Sequence, residues 1–478
     1  MTFEPVGIVA LIIGIIALFS RPTFIVYAFF LSTLLGAAAA FNISGVGGVS
    51  IPPAHFLFGF LAIRLFAADE VRPKILQAVA PGRPGFWLIL ALASSLVMAY
   101  FMPRLFQGET LVFPVRAQAA GLAPLEPATS NFTQSAYFIA NASCFVILCG
   151  FADTRDGMKV LLNAGLTGAT VNLIFAALDL FTYFTNTAEL LSPIRNASYA
   201  MLVETDMAGF KRIVGSFTEA SVFGGTTLGY LAFTSRLWLL GFYSRLSGTL
   251  ALLSLFAILF ATSSTGYVGL VGYFAVTYLE ILLRVISGRS THQMRLFVLA
   301  VPPLLLIISL SIALNDTLAS SAHDLLDMFL FEKLSSSSGV ERSSWNRMAL
   351  QSFFDTFGLG FGNGSGRASS FAVAVLANLG IIGTVPFAMF LLKILFGQPG
   401  TSQPPAEVAW RMAAKSMCLA WVIAASVSNP LIDLGLQFYA FAALASACGV
   451  RNNMGSLLAR SQPTRFLHRG AGQSPSFP

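Results

Sequence analysis

Apolar stretches of about 17 to 25 residues, the length a helix needs to cross a hydrocarbon core of roughly 30 Å, recur along this chain from end to end. No other feature limits the possible folds as tightly. Inside lipid the backbone must satisfy its own N–H and C=O groups, which leaves helices and closed barrels. The stretches are continuous and do not alternate, so they predict an all-α polytopic membrane protein with about 12 to 14 transmembrane helices and large external loops carrying short helices. Composition agrees. Only 10% of the 478 residues are charged and 56% are hydrophobic, whereas soluble domains are about a quarter charged.

The spans read as 6 to 20, 22 to 41, 51 to 68, 86 to 102, 133 to 152, 159 to 184, 222 to 241, 248 to 263, 265 to 284, 296 to 314, 368 to 396, 412 to 428 and 432 to 450. They make one transmembrane domain, 1–450, followed by a basic tail, 451–478, whose Ser, Pro, Gly and Arg content predicts disorder. The first run, Val6 to Ser20, lacks a basic leader and reads as a retained helix. Cys144, Cys149, Cys418 and Cys448 fall in apolar runs without metal-ligand spacing, so neither disulfides nor a metal site is expected.

Basic residues resist translocation, so Arg21, Arg72, Lys74, Arg83, Arg155, Lys159, Arg245, Arg289, Arg295, Arg411, Lys415 and the tail mark the cytoplasmic face. The opposite face carries Glu4 and three long loops, 103–132, 185–221 and 315–367, which are neutral or weakly acidic. The formal net charge of +7 is thus a record of topology and of contact with the membrane surface, and nucleic acid is not an expected partner.

Two external loops carry unusual clusters. In the first, Lys211-Arg212-Ile213-Val214-Gly215-Ser216-Phe217-Thr218-Glu219-Ala220-Ser221 runs straight into a span. An interfacial anchor, with Glu219 at a helix N-terminus, explains these residues. So does a phosphate clamp at Arg212 with Glu219 as general base or sugar ligand. The second runs from Ser335 through Glu341, Arg342, Trp345 and Arg347 to Gly358-Leu359-Gly360-Phe361-Gly362-Asn363-Gly364-Ser365-Gly366-Arg367. Glycine at every second position permits N–H groups to converge on an anion, and a merely flexible loop is the plainer alternative. The spacing is not a dinucleotide fingerprint. Arginine forks near span ends suit a lipid-linked pyrophosphate and would steady the charge on a departing one.

The stretch from Arg212 through Ser221, then Thr262-Ser263-Ser264-Thr265-Gly266-Tyr267, then Arg342-Ser343-Ser344-Trp345 and the glycine run into Ala377-Asn378-Leu379-Gly380-Ile381-Ile382-Gly383, resembles the O-antigen polymerase and ligase superfamily, most closely the Wzy-type polymerases of exopolysaccharide. The likeness covers about residues 195 to 450, with motif order preserved. It implies a metal-independent, cofactor-free glycosyltransferase of the GT-C kind that moves glycan from undecaprenyl pyrophosphate to a sugar hydroxyl of another lipid-linked repeat unit, on the periplasmic face of the bacterial inner membrane. The expected partners are that lipid-linked oligosaccharide, membrane lipid, and chain-length regulator and export proteins. The expected catalytic residues are Glu219, Arg342 and Arg212, with Arg367, Arg347, Lys211, Arg195, Ser221, Trp345, Asn363 and Ser365 binding substrate.

Relatives of the ligase type carry a histidine at the span after the glycine-rich loop, where this chain has Arg367-Ala368-Ser369-Ser370. That departure favours polymerase over ligase and shifts the role of base to Glu219. His55 falls near the external end of a span, and His323, beside Asp324, reads as solvated. Among charges within spans, Arg64 is expected to snorkel. Asp179 either lines a cavity or serves as a structural hydrogen-bonding group. A ligase is the alternative within the family; a flippase or transporter of lipid-linked sugars, which would place charges at mid-membrane, is the alternative outside it.

Overall fold

A computed structural model describes residues 2–43, 49–115, 121–197, 206–207, 210–317, 319–320, 323, 337–398 and 403–448. The basic tail therefore lies outside the described residues. The protein is an all-α polytopic membrane protein. Its helices are α1 (Pro5–Phe19), α2 (Pro22–Ser32), α3 (Pro53–Phe66), α4 (Arg72–Ala78), α5 (Pro84–Leu105), α6 (Thr129–Ala152), α7 (Gly157–Phe184), α8 (Ala220–Leu239), α9 (Ser244–Phe260), α10 (Ser264–Ile286), α11 (His292–Ala313), α12 (Ser337–Asp355), α13 (Phe371–Phe396), α14 (Pro405–Val427) and α15 (Gly435–Ser446). Among the described residues, 7 helices are long and apolar enough to cross a membrane, and α1, α2, α3, α9 and α15 are shorter apolar helices.

Helix starts follow local chemistry. Proline opens α1, α2, α3, α5 and α14, where its missing N–H would have no intrahelical partner. Ser263 caps α10 by accepting from Gly266 N, and Thr291 caps α11 by accepting from Met294 N. α15 is buried along nearly its whole length against α6 and α14, and the Phe441 ring meets Phe30, Tyr230 and Phe233 edge-on. α11 is the opposite case. Leucines from Leu299 to Leu310 stand exposed on it, an apolar surface that calls for lipid.

The span expected at 22 to 41 is corrected. α2 stops at Ser32, and Leu34 to Ala40 continue as irregular backbone into a small antiparallel sheet formed by β1 (Thr2–Phe3), β2 (Phe41–Ile43) and β3 (Val49–Ile51). Non-helical backbone is tolerated at such depth only when protein satisfies it. Here Ala37 N donates to Ser216 O, Ala39 N to Asn196 Oδ1 and Ala40 N to Ile51 O. The apolarity of this stretch reflects burial in protein.

The basic residues Arg64, Lys74, Arg83 and Arg411 share one end of the bundle and are bonded there. Arg64 Nε donates to Ser20 O, Lys74 Nζ to Asp153 O, and Arg411 to Ala445 O and Gln403 Oε1. Asp153 also receives Cys448 N, and Arg83 meets the Cys448 thiol. A pair that sequence reading passed over, Arg236 on α8 and Glu280 on α10, is fixed by two hydrogen bonds, with Ser416 as a third partner of the guanidinium.

Candidate functional site

At the other end of the bundle, Asp179 decides how the 210–217 segment runs. It sits on α7 with 1% of its surface exposed. Its Oδ2 accepts the N–H groups of Val214 at 2.8 Å and Gly215 at 3.0 Å, and its Oδ1 takes Arg195 Nη2 at 2.6 Å. Arg195 also bonds Gly215 O, Ser216 Oγ donates to Leu34 O, and Gly215 holds a positive φ of 60° that suits glycine. Asp179 is thus a structural group. Arg195, expected to bind substrate, pairs with this buried carboxylate and positions the loop, and its Nε is buried without a partner among the described residues.

That anchoring presents Arg212 beside Glu219 and Tyr267. Burial pushes the Arg212 guanidinium down from its ordinary pKa, and the Glu219 carboxylate and the Tyr267 phenol oppose the shift. Arg212 Nε is buried with no hydrogen-bond partner among the described residues. Glu219 is the N-cap residue of α8, yet its side chain makes no cap bond and instead accepts the Ser221 hydroxyl. Lys211 lies with Nζ 5.6 Å from the Tyr183 ring centre. Two sequence motifs meet here through small residues: a Cβ on Gly224 would stand 3.4 Å from Gly266 Cα and from Ser263 Cβ.

Ser221 also lines a cavity of about 400 Å³. Its walls are the ends of α2, α3, α8, α10 and α14 and the 428–434 turn leading into α15, all away from the basic residues. Into it come His55, Asp433, Asn429 and Gln437. Both His55 ring nitrogens are buried without a partner among the described residues, and the ring rests edge-on against Tyr137 at 4.8 Å. Asp433 Oδ1 accepts Asn141 Nδ2 and Gly435 N, each at 2.6 Å. Beside this cavity, and sharing Ser32 and Leu35 with it, is an apolar crevice of about 420 Å³ between α1, α2, α3 and α7.

A second cluster stands on α12. The Arg367 guanidinium stacks 4.1 Å from the Trp345 ring centre, and burial lowers its pKa while nearby Glu341 opposes the shift. Arg342 shares the helix face of Trp345 and Asn346 by its three- and four-residue spacing. Arg347 is exposed, off that face. Asn346 Oδ1 accepts the N–H groups of Ser369 and Ser370, while Ala368 N donates to Pro430 O and Asn429 N to Ser369 O. The α12 cluster is therefore tied by backbone to the turn that walls the cavity.

The glycine run is a correction to the anion-nest reading. Gly358, Gly360, Gly362 and Gly364 all have positive φ, but Gly358 N bonds Phe353 O, Gly360 N bonds Thr356 Oγ1 and Gly364 N bonds Asn378 Oδ1. The run plugs a break in α13 at Gly380 (φ 59°): Phe361 N donates to Ala377 O, and Ile381 N donates to Gly358 O. A Cβ would meet Gly380 N at 2.6 Å from Gly360, Met98 O at 2.5 Å from Gly362 and Ser130 O at 2.4 Å from Gly364. Asn363 and Ser365, expected at the substrate, are buried and receive Asn131 Nδ2 on the Asn363 backbone O and on Ser365 Oγ, while Asn363 Nδ2 has no partner among the described residues.

The structure thus gathers Arg212, Glu219 and Tyr267 next to Ser221, which lines the cavity, and Arg342, Trp345 and Arg367 on a neighbouring patch. Arg195, Arg347, Asn363 and Ser365 belong to neither. His323 is exposed, and Asp324, Ser335 and Ser336 lie outside the described residues. Sequence reading missed Asp433, Asn429 and Gln437, and left His55 unused. Their signal, polar residues at the ends of apolar runs, is weak without the fold. The chain matches no family model, no curated protein and no solved structure.

Proposed function

We propose that the protein is a metal-independent glycosyltransferase, a polymerase of bacterial cell-surface polysaccharide of the O-antigen or exopolysaccharide type. It transfers glycan from undecaprenyl pyrophosphate to the sugar hydroxyl of another lipid-linked repeat unit, on the periplasmic face of the inner membrane. The observation that carries this reading is Arg212 beside Glu219, whose carboxylate accepts the hydroxyl of Ser221, a residue that lines a cavity in the end of the bundle opposite the basic loops. The adjoining apolar crevice supports a substrate with a lipid chain.

In this reaction the acceptor oxygen bonds to the anomeric carbon, the bond from that carbon to the pyrophosphate oxygen breaks, and the pyrophosphate leaves with the electron pair. Arg212 steadies the departing charge, and the Arg342 and Arg367 patch holds the rest of the lipid-linked glycan. Glu219 takes the proton of the acceptor hydroxyl. Positioning supplies the remainder. A carrier reading gains no support from Arg236 and Glu280, which are bonded to each other near the basic end.

The test is single replacement of Arg212, Glu219 or Arg342 by Ala in cells that make the polymer. Each variant, present at the normal level, is expected to leave single lipid-linked repeats. Full-length polymer from all three would remove these residues from the reaction, and long chains retained on the carrier would assign a ligase instead.

A further inference from the structure

The 400 Å³ cavity has a lining unlike the arginine clusters beside it. Its ionisable members are His55 and Asp433, its other polar groups include Thr226, Asn429 and Gln437, and Trp421 supplies an aromatic face. No Lys or Arg is among the described residues that line it. A pyrophosphate placed there would meet no balancing charge, which is costly in a buried site. A neutral, hydroxyl-rich ring suits it better. Sites for small molecules span roughly 300 to 1,000 Å³ and orient their ligands by a few convergent polar groups against an apolar or aromatic wall.

His55 is the most telling member. Proline at the start of α3 and the edge contact with Tyr137 fix its ring, and neither nitrogen bonds another described residue. An imidazole carries one donor and one acceptor when neutral, and buried groups of that kind are almost always bonded. Asp433 receives both of its protein hydrogen bonds on Oδ1, so Oδ2 keeps its accepting capacity. Gln437 is held in place by donating Nε2 to Tyr230 Oη at 2.5 Å.

We propose that this cavity is a carbohydrate subsite that receives the acceptor sugar ring, with His55 hydrogen-bonded to one of its hydroxyls and Trp421 against its C–H face. The inference rests on the glycosyl-transfer reading for the word acceptor, but not for the sugar itself. It separates the labour of the site: the neutral ring goes inside, and the pyrophosphate stays with Arg212 at the edge. His55 is here a binding residue, and the proton still passes to Glu219.

The test uses the full chain purified in detergent micelles, with saturation-transfer NMR of the methyl glycosides of glucose, galactose, mannose and N-acetylglucosamine, and a separate titration with inorganic pyrophosphate. At least one glycoside is expected to bind. His55→Ala weakens it about fivefold or more, the size of one lost hydrogen bond, and His55→Gln restores part of the affinity. Trp421→Leu weakens it as well, and carries the test if the alanine variant does not fold. Pyrophosphate binding stays unchanged in each. The proposal is overturned if no glycoside binds the folded protein, if the variants bind as the wild type does, or if pyrophosphate binding falls with His55→Ala. Glycoside binding that depends on His55, with no pyrophosphate binding at all, would uphold the subsite and remove the glycosyl-pyrophosphate reading.

Discussion

At the basic end of the bundle Arg236 gives its guanidinium to Glu280 and Ser416, and Arg411 reaches Ala445 O and Gln403. At the opposite end Arg212 and Arg367 each leave Nε, and His55 leaves both ring nitrogens, without a partner among the described residues. The same residue types are thus used in two ways. One end closes its charges on itself and holds helices together. The other holds a few charges through anchors such as Asp179 and leaves some buried nitrogens without a protein partner among the described residues. Buried polar groups without partners are rare in folded proteins, and His55, which lines the cavity, carries two of them.

The largest effect is expected from the plug that shapes the open end. Gly380→Ala would bring a Cβ to 2.1 Å from Leu359 O at a backbone φ of 59°. It should cost more than about 3 kcal/mol and be read as a fall in the yield and melting temperature of the purified protein. Wild-type stability would refute the inserted loop. Next comes the anchor: Asp179→Ala and Arg195→Ala each break a buried pair and should cost about 3 to 5 kcal/mol, with the double variant costing less than the sum. Full additivity in thermal unfolding would show that the pair does not act as a unit.

The contrast itself is sharpened by two arginines. Arg236→Ala should destabilise by about 2 to 3 kcal/mol, less than a fully buried pair because Glu280 is partly exposed and keeps Arg284. Arg212→Ala should change stability by less than about 1 kcal/mol, since it removes a group with unmet bonds, while abolishing polymer. Equal destabilisation of the two would erase the difference between the ends. The smallest effect belongs to Trp345→Leu, where loss of the stacked guanidinium should cost about 0.5 to 2 kcal/mol in unfolding.

The sequence was most legible where lipid set the pattern. Long apolar runs became helices, and Glu219 was readable as the residue at a helix N-terminus. It was least legible where protein replaced lipid as the surroundings. Leu34 to Ala40 are as apolar as a span, yet they form irregular chain because Ser216, Asn196 and Ile51 satisfy them. The alternating glycines were visible as unusual backbone, but the sequence does not tell whether their N–H groups meet a ligand or meet Thr356 and Asn378, as they do. Arg212, Glu219 and Ser221 were readable because they are close in sequence. His55, Ser221 and Asp433 share a cavity only after α3, α8 and the turn before α15 are packed together.

The central claim is that catalysis belongs to the open end. It is tested most directly by incorporating purified protein into phospholipid vesicles with lipid-linked repeat units extracted from polymer-making cells, and following glycan length by mass spectrometry. Wild type and Arg236→Gln, at matched folded amounts, should extend the repeats to longer chains, whereas Glu219→Gln should leave them single. Extension by Glu219→Gln at the wild-type rate, or none by folded wild type, would contradict the account.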